Sequence, residues 1–317
     1  MIELKDENEV FNHLDQEYKA ILEYCKADRL LLAHQLMGSL DEYMKSFKNH
    51  VASNEEITKL IEQIQQCPRL KRLRVEHEEI SELVQMMDKD HNKFGWKEIS
   101  NSHGIHCLYK ENGSGMHSIR MDGIIESPIF DVCAVIMEVA LYGTWIPNLK
   151  EAKLLGEDNR FKKLIYARSV CPWPVSDRDV CLFGYGVDML EEHDKIMVIA
   201  RSVRDGDLDG ISWKLPDPIK NVVRVDTKIS GFTITPISET QTLVQVVSLT
   251  DPRMAMMPYW LLNFVTTQFC HYLFVMLRKQ SKSVQSSKHY KTAIETNPVY
   301  SELKQMAQVY FQKKATK

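Results

Sequence analysis

The sequence has 317 residues, of which 44% are hydrophobic and 26% charged, with a formal net charge of -3. That length suffices for one large or two ordinary domains, and the composition excludes disordered and fibrous classes. Charge is spread unevenly: residues 1–90 carry 12 Lys and Arg against 19 Asp and Glu, and residues 278–317 carry 9 against 2. An acidic head and a basic tail suit mutual attraction, or a tail turned toward an anionic surface such as phosphate-bearing lipid. Nucleic acid is not an expected partner.

The N-terminal segment, Met1 to Glu7, is acidic and lacks an apolar run, so neither a secretory signal nor a transit peptide is expected. Seven scattered cysteines, odd in number and never spaced C-x-x-C, argue against disulfides and structural zinc. A reducing compartment follows, and the expected location is the cytoplasm, with peripheral membrane contact. From Asp6 to about Asp90 glycine and proline are almost absent, and apolar residues recur at three and four: Val10, Phe11, Leu14, Tyr18, Ile21, Leu22, Cys25. The spacing predicts helices. A second runs from Leu30 to Phe47, Ser53-Asn54-Glu55-Glu56 reads as the capping box of a third, and Cys67-Pro68 separates it from a fourth over 69–87. Residues 1–85 are expected to form a small bundle with its own protein partner.

From Phe94 the texture changes to short alternating or β-branched segments punctuated by glycine and proline, which predicts an antiparallel sheet. Expected strands are 94–99, 104–110, 116–126, 151–156, 161–170, 179–189, 194–203, 222–229, 231–237 and 242–249. A helix at 128–141 interrupts them, with Ser127 as cap and Pro128 at its first position. A long apolar helix, about 258–279, closes the unit. The stretch 254–277 approaches membrane-spanning length, but Pro258, Asn263, Thr266, Thr267, Gln268 and His271 interrupt it, so no transmembrane helix is expected. Strands, one intervening helix and a closing helix over 90–281 make an α+β domain. Residues 282–317 read as a basic linker and an amphipathic helix, with Val299, Leu303, Met306 and Tyr310 on one narrow face, suited either to docking on anionic membranes or to packing on the protein or its acidic head.

No nucleophile elbow, P-loop or dinucleotide fingerprint is present, so no catalytic residue, cofactor or metal is assigned. His103, His106, Cys107 and His117 fall on adjacent strands, but an odd separation sends 103 and 106 to opposite faces. Asp205 to Gly210 copies the opening of a calcium loop, yet Pro216 stands where the bidentate glutamate belongs. The first group is not expected to bind metal, and the second reads as an Asp/Gly-rich hairpin loop. The closing helix is the informative element. Its inner face, Leu262, Val265, Thr266, Phe269, Cys270 and Leu273, is either core or a lid over a lipid, and periodicity does not separate the two.

Three stretches resemble one family. Gly143-Thr144-Trp145-Ile146-Pro147-Asn148, Pro172-Trp173-Pro174-Val175-Ser176-Asp177-Arg178-Asp179-Val180 and Met257-Pro258-Tyr259-Trp260-Leu261-Leu262-Asn263-Phe264 match, in order and spacing, motifs of START domains. The resemblance implies a helix-grip fold: a curved antiparallel sheet around a long C-terminal helix, one lipid between them, and no reaction. It implies that the loop 171–177, with Trp173, and the lid helix open at a membrane, and it places Trp173 among the lipid-binding residues. Trp145, Pro147, Arg178 and Asp179 read as scaffold. The resemblance also aligns Ile165 and Gly184 with the acid and base of some sterol-binding relatives, which argues against a sterol held by such a charge pair. The expected function is binding of one lipid, phospholipid, sterol or other, for transfer or sensing. The alternatives are a scaffold acting through the N-terminal helices with a vestigial cavity, or a cyclase-type enzyme.

Overall fold

The computed structural model describes residues 7–47, 54–88, 95–113, 115–158, 161–208, 212–254 and 256–315. Its contacts divide the chain into two compact units, Met1–Glu82 with Val187–Met189, and Leu83–Gly186 with Leu190–Lys317.

The first unit is helical, with α1 Glu7–Lys26, α2 Leu30–Phe47, α3 Glu55–Gln66 and α4 Pro68–Met86, whose last turn belongs to the second unit. The three-four stripe Val10, Leu14, Tyr18, Ile21 and Cys25 is buried along α1. Asn54 caps α3, its side chain accepting from the Glu56 and Ile57 amides at 3.0 and 3.2 Å. Ser53 lies outside the described residues. Pro68 occupies the first position of α4, where its missing N–H costs nothing. Farther along, Glu76 is fully buried and pairs with Arg69 at 2.7 Å and Arg72 at 3.3 Å. A carboxylate that deep requires such partners.

The second unit is built on a sheet of β1 Lys97–Ser102, β2 Ile105–Glu111, β3 His117–Ile125, β4 Leu149–Glu157, β5 Lys163–Ser169, β6 Asp177–Met189, β7 Lys195–Ser202, β8 Val222–Arg224, β9 Asp226–Ser238 and β10 Gln241–Asp251. The order is β1-β2-β3-β10-β9-β7-β6-β5-β4, with β8 running parallel to the start of β6. The expected strands 222–229 and 231–237 are repartitioned, with the break at Val225. Gly231 does not end a strand. It lies inside β9 because the Val198 carbonyl comes within 2.3 Å of where its Cβ would stand.

Two helical expectations are corrected. The helix at 128–141 is split into α5 Ile129–Met137 and a 3-10 turn at Val139–Thr144, and Ser127 makes no capping bond. Its hydroxyl goes to the Glu126 carbonyl instead. After α6, Leu190–His193, and the remaining strands, the closing helix runs as α7 Tyr259–Asn263, a π turn at Phe264–Phe269 and α8 Cys270–Ser283. It is long and apolar enough to cross a membrane, but Arg278 ties it to the sheet by donating to the carbonyls of Ile124, His103 and Gly104 at 2.7–2.9 Å.

The segment expected as linker contains α9 Lys288–Thr296, followed by α10 Val299–Ala315. Tyr290, Val299, Tyr300, Leu303 and Tyr310 are buried in the core that α5 and the closing helix share. The apolar face of α10 is therefore spent on the domain and is not presented for membrane insertion. Strands, α5 and the C-terminal helices form the mixed helix and antiparallel-sheet arrangement that the sequence predicts.

Candidate functional site

Residues directly across an antiparallel ladder share a face. An ideal Cβ on Gly123 would lie 2.8 Å from the Phe274 ring of α8, which identifies the helix-covered face. Across from Gly123 stand Ile105 on β2 and Val244 on β10, and the ladder continues through Ile234 on β9 to Ile196 on β7. One pleat along, the series is Cys107, Met121, Val246, Phe232 and Val198. The middle of this face is apolar. Ile165 and Gly184 lie on β5 and β6, and neither carries a charge.

The buried positions of the closing helix are Leu261, Thr266, Cys270, Phe274, Leu277 and Ser281. Their spacing is five, then four, four, three and four, so the π turn inserts one residue and rotates the stripe. Of the expected lid face, Thr266 and Cys270 lie on the buried stripe. Val265, Phe269 and Leu273 are half-buried and pack against the core, and Leu262 is half-buried. Phe274 and Leu277, which continue the stripe, were not among the expected residues; the four-residue step from Cys270 signals Phe274. The Thr266 and Thr267 hydroxyls donate to the carbonyls of Leu262 and Asn263 at 2.8 and 2.7 Å, so their hydrogen-bonding capacity is used inside the helix. Burial pushes the Cys107 and Cys270 thiols up, which leaves both as packing groups rather than nucleophiles.

Trp173 stands apart from these residues, 91% exposed in the loop between β5 and β6. That loop is at the end of the sheet where β10 leaves for the closing helix, because Arg178 Nε donates to the Pro252 carbonyl at 3.2 Å. Val170, Met256, Tyr259 and Trp260 are exposed in the same two loops and the start of α7. The neighbouring motif residues are scaffold. Asp179 is buried and pairs with Arg224 at 2.9 Å, Arg178 also donates to the Ser176 carbonyl, and Trp145 is buried in the core. A hydrogen bond from Arg168 holds the Asp177 carboxyl below its usual range.

A family model for the START domain matches residues 74–285. The chain belongs to the START family. Human STARD10 superposes with a TM-score of 0.57 at 16% identity, covering 70% of this chain and 85% of that one. Human StAR-related lipid transfer protein 5 superposes with a TM-score of 0.55 at 16% identity, covering 67% and 97%. Both likenesses are of fold. The search of curated proteins found no match.

The remaining candidates in this START chain are held by protein groups. His103 lies in the β1–β2 turn at a φ of 54°, His106 faces Glu98 at 3.5 Å, and Cys107 points to the closing helix. Among the described residues, no three His, Cys, Asp or Glu side chains come together as a metal site. In the acidic loop, Asp207 is engaged by the Arg201 guanidinium and by the Arg204 amide. Asp209 and Gly210 lie outside the described residues.

Proposed function

We propose that this START domain encloses one lipid between its closing helix and the apolar face of its sheet. The role is transfer between membranes or lipid sensing, without catalysis, by a cytoplasmic protein in peripheral membrane contact. The supporting observation is uneven burial on a covered face. Phe232 and Val198 point toward the helix side yet are only half-buried, as are Val265 and Phe269 of the helix, whereas Ile234 and Val244 one pleat away are fully buried. Close-packed interiors leave few voids, so apolar side chains that keep accessible surface under a helix point to room for a ligand.

Acyl chains at about 0.8 kcal/mol per methylene would exceed the ceiling of roughly 18 to 21 kcal/mol for non-covalent binding if water were the reference. The relevant reference is the bilayer, where the chains are already dry. Exchange between bilayer and protein is then nearly balanced, as a carrier requires. The exposed Trp173, Val170, Met256, Tyr259 and Trp260 would contact the membrane during exchange, since aromatic residues suit the bilayer interface.

Native mass spectrometry of protein purified from cells is the decisive experiment, with one co-purified lipid per chain expected. Protein that is apo as purified, and stays apo after incubation with mixed-lipid vesicles, overturns the proposal. In vesicle sedimentation, the double variant Trp173→Ala, Tyr259→Ala should bind several-fold less than wild type; equal sedimentation removes these residues from the contact.

A further inference from the structure

The helix-covered face is not apolar throughout. At the end where β10 leaves for α7, Tyr109 Oη lies 2.7 Å from His117 Nδ1. His117 stands directly across from Thr250, whose hydroxyl is 2.9 Å from that of Ser248 and 3.2 Å from that of Thr227. The next same-face neighbours along β3 and β10 are Ile119, Met121 and Val246, and beyond them come Ile125 and Val244. The surface thus changes along its length from hydroxyl and imidazole groups to aliphatic ones. Its polar end coincides with the exposed loop of Trp173, through the Arg178–Pro252 contact.

Local charge narrows what this end accepts. Glu111 stands directly across from His117, on the helix-covered face. Asp251 follows Thr250, so its side chain belongs to the other face of the strand, and Arg253 pairs with it at 3.6 Å. The nearby Arg178 guanidinium donates to backbone carbonyls. A phosphate placed here would face the Glu111 carboxylate. Hydroxyl and imidazole side chains, each able to donate and accept, instead suit an uncharged group.

Resting on the lipid-binding reading above, we propose that Tyr109, His117, Thr227, Ser248 and Thr250 seat the uncharged hydroxyl and ester end of a lipid, tails inward, and disfavour a phosphorylated head group. The test loads purified full-length protein from vesicles holding equal dioleoylglycerol and dioleoylphosphatidic acid, whose chains are identical, and quantifies the extracted lipid by mass spectrometry. Wild type should take the glyceride over the phosphatidate by on the order of tenfold, the equivalent of one or two net hydrogen bonds. Thr250→Val and Tyr109→Phe should lose most of that preference, glyceride uptake falling toward that of the phosphatidate, while the melting temperature stays unchanged. Ser248→Ala, a smaller truncation, gives the same readout should either variant fail to fold. Equal uptake of the two lipids by wild type, or a preference that survives all folded variants, overturns the seat. Uptake of neither lipid by wild type also overturns the seat, and the lipid-binding reading falls with it only if the protein stays apo with mixed-lipid vesicles as well.

Discussion

The ring of Phe274 occupies the space that a side chain on Gly123 would need, with Cε1 and Cζ at 2.8 and 2.9 Å from an ideal Cβ and the Gly104 carbonyl at 3.0 Å. Phe274 is only 1% exposed, so the ring has little room to withdraw. Gly123→Ala should therefore destabilise the domain by about 1 to 3 kcal/mol through overpacking, and Phe274→Ala by about 3 to 5 kcal/mol through the cavity it leaves. Urea denaturation measures both. A Gly123→Ala protein of wild-type stability would mean that the closing helix shifts freely on the sheet.

Arg278 fixes the same helix one turn later, its guanidinium donating to three carbonyls of two sheet segments while burial lowers its pKa. A lysine ammonium is a point donor and does not reproduce that fork. Arg278→Lys should cost on the order of 1.5 to 3 kcal/mol, the range for hydrogen bonds to a charged group. Hydrogen exchange should quicken at the His103–Gly104 turn. Unchanged protection there would show that the turn is held by the β1–β2 ladder alone.

The strands were legible because half-buried sheets alternate, and the three motif stretches fall at the β3–β4 connection, the β5–β6 loop and the start of α7. The phase of the closing helix was legible in part. Thr266 and Cys270 fall on the buried stripe, and the step from Cys270 leads to Phe274, but the residue inserted in the π turn leaves Leu262, Val265, Phe269 and Leu273 beside the stripe rather than on it. The tail was misread for a different reason: Ser, Lys and Thr dominate 281–297, and only Val284 and Tyr290 there are large buried apolar residues. Composition cannot show that an isolated tyrosine is a core residue. The polar end of the sheet was likewise hidden, since Tyr109, His117, Thr227, Ser248 and Thr250 meet only through strand register.

His34 on α2 and His77 on α4 stack with ring centroids 3.5 Å apart and an interplanar angle of 6°. Burial, then the adjacent His77 and Arg74 charges, lower the His34 pKa below the ordinary 6.5. The folded state then binds fewer protons than the unfolded one in that window, so stability contributed here is present above pH 6.5 and lost as pH falls below it. Helical melting followed by circular dichroism from pH 7.5 to 5.5 should show that decline, and His34→Gln should flatten it. An unchanged slope in the variant assigns the acid sensitivity elsewhere.

The C-terminal helices supply the last prediction, because they decide whether the tail is a membrane element or part of the core. Tyr300 is 1% exposed, and its hydroxyl donates to Glu138 beyond the end of α5; burial, and then the Glu138 charge, raise its pKa. Tyr310 donates to Asp194 at 2.8 Å, and Tyr290 is fully buried. A buried aromatic covers about 150 to 250 Å², so removing three tyrosines with Val299 and Leu303 would uncover far more apolar surface than a soluble domain tolerates. A chain ending at residue 287 should melt well below wild type or aggregate, and Tyr300→Phe alone should cost on the order of 1.5 to 3 kcal/mol by taking a donor from a carboxylate. Melting temperature and vesicle sedimentation of the two proteins, read together, separate the possibilities. If the truncated chain keeps the wild-type melting temperature but loses only its binding to anionic vesicles, the basic tail is a docking segment and its packing on α5 is dispensable.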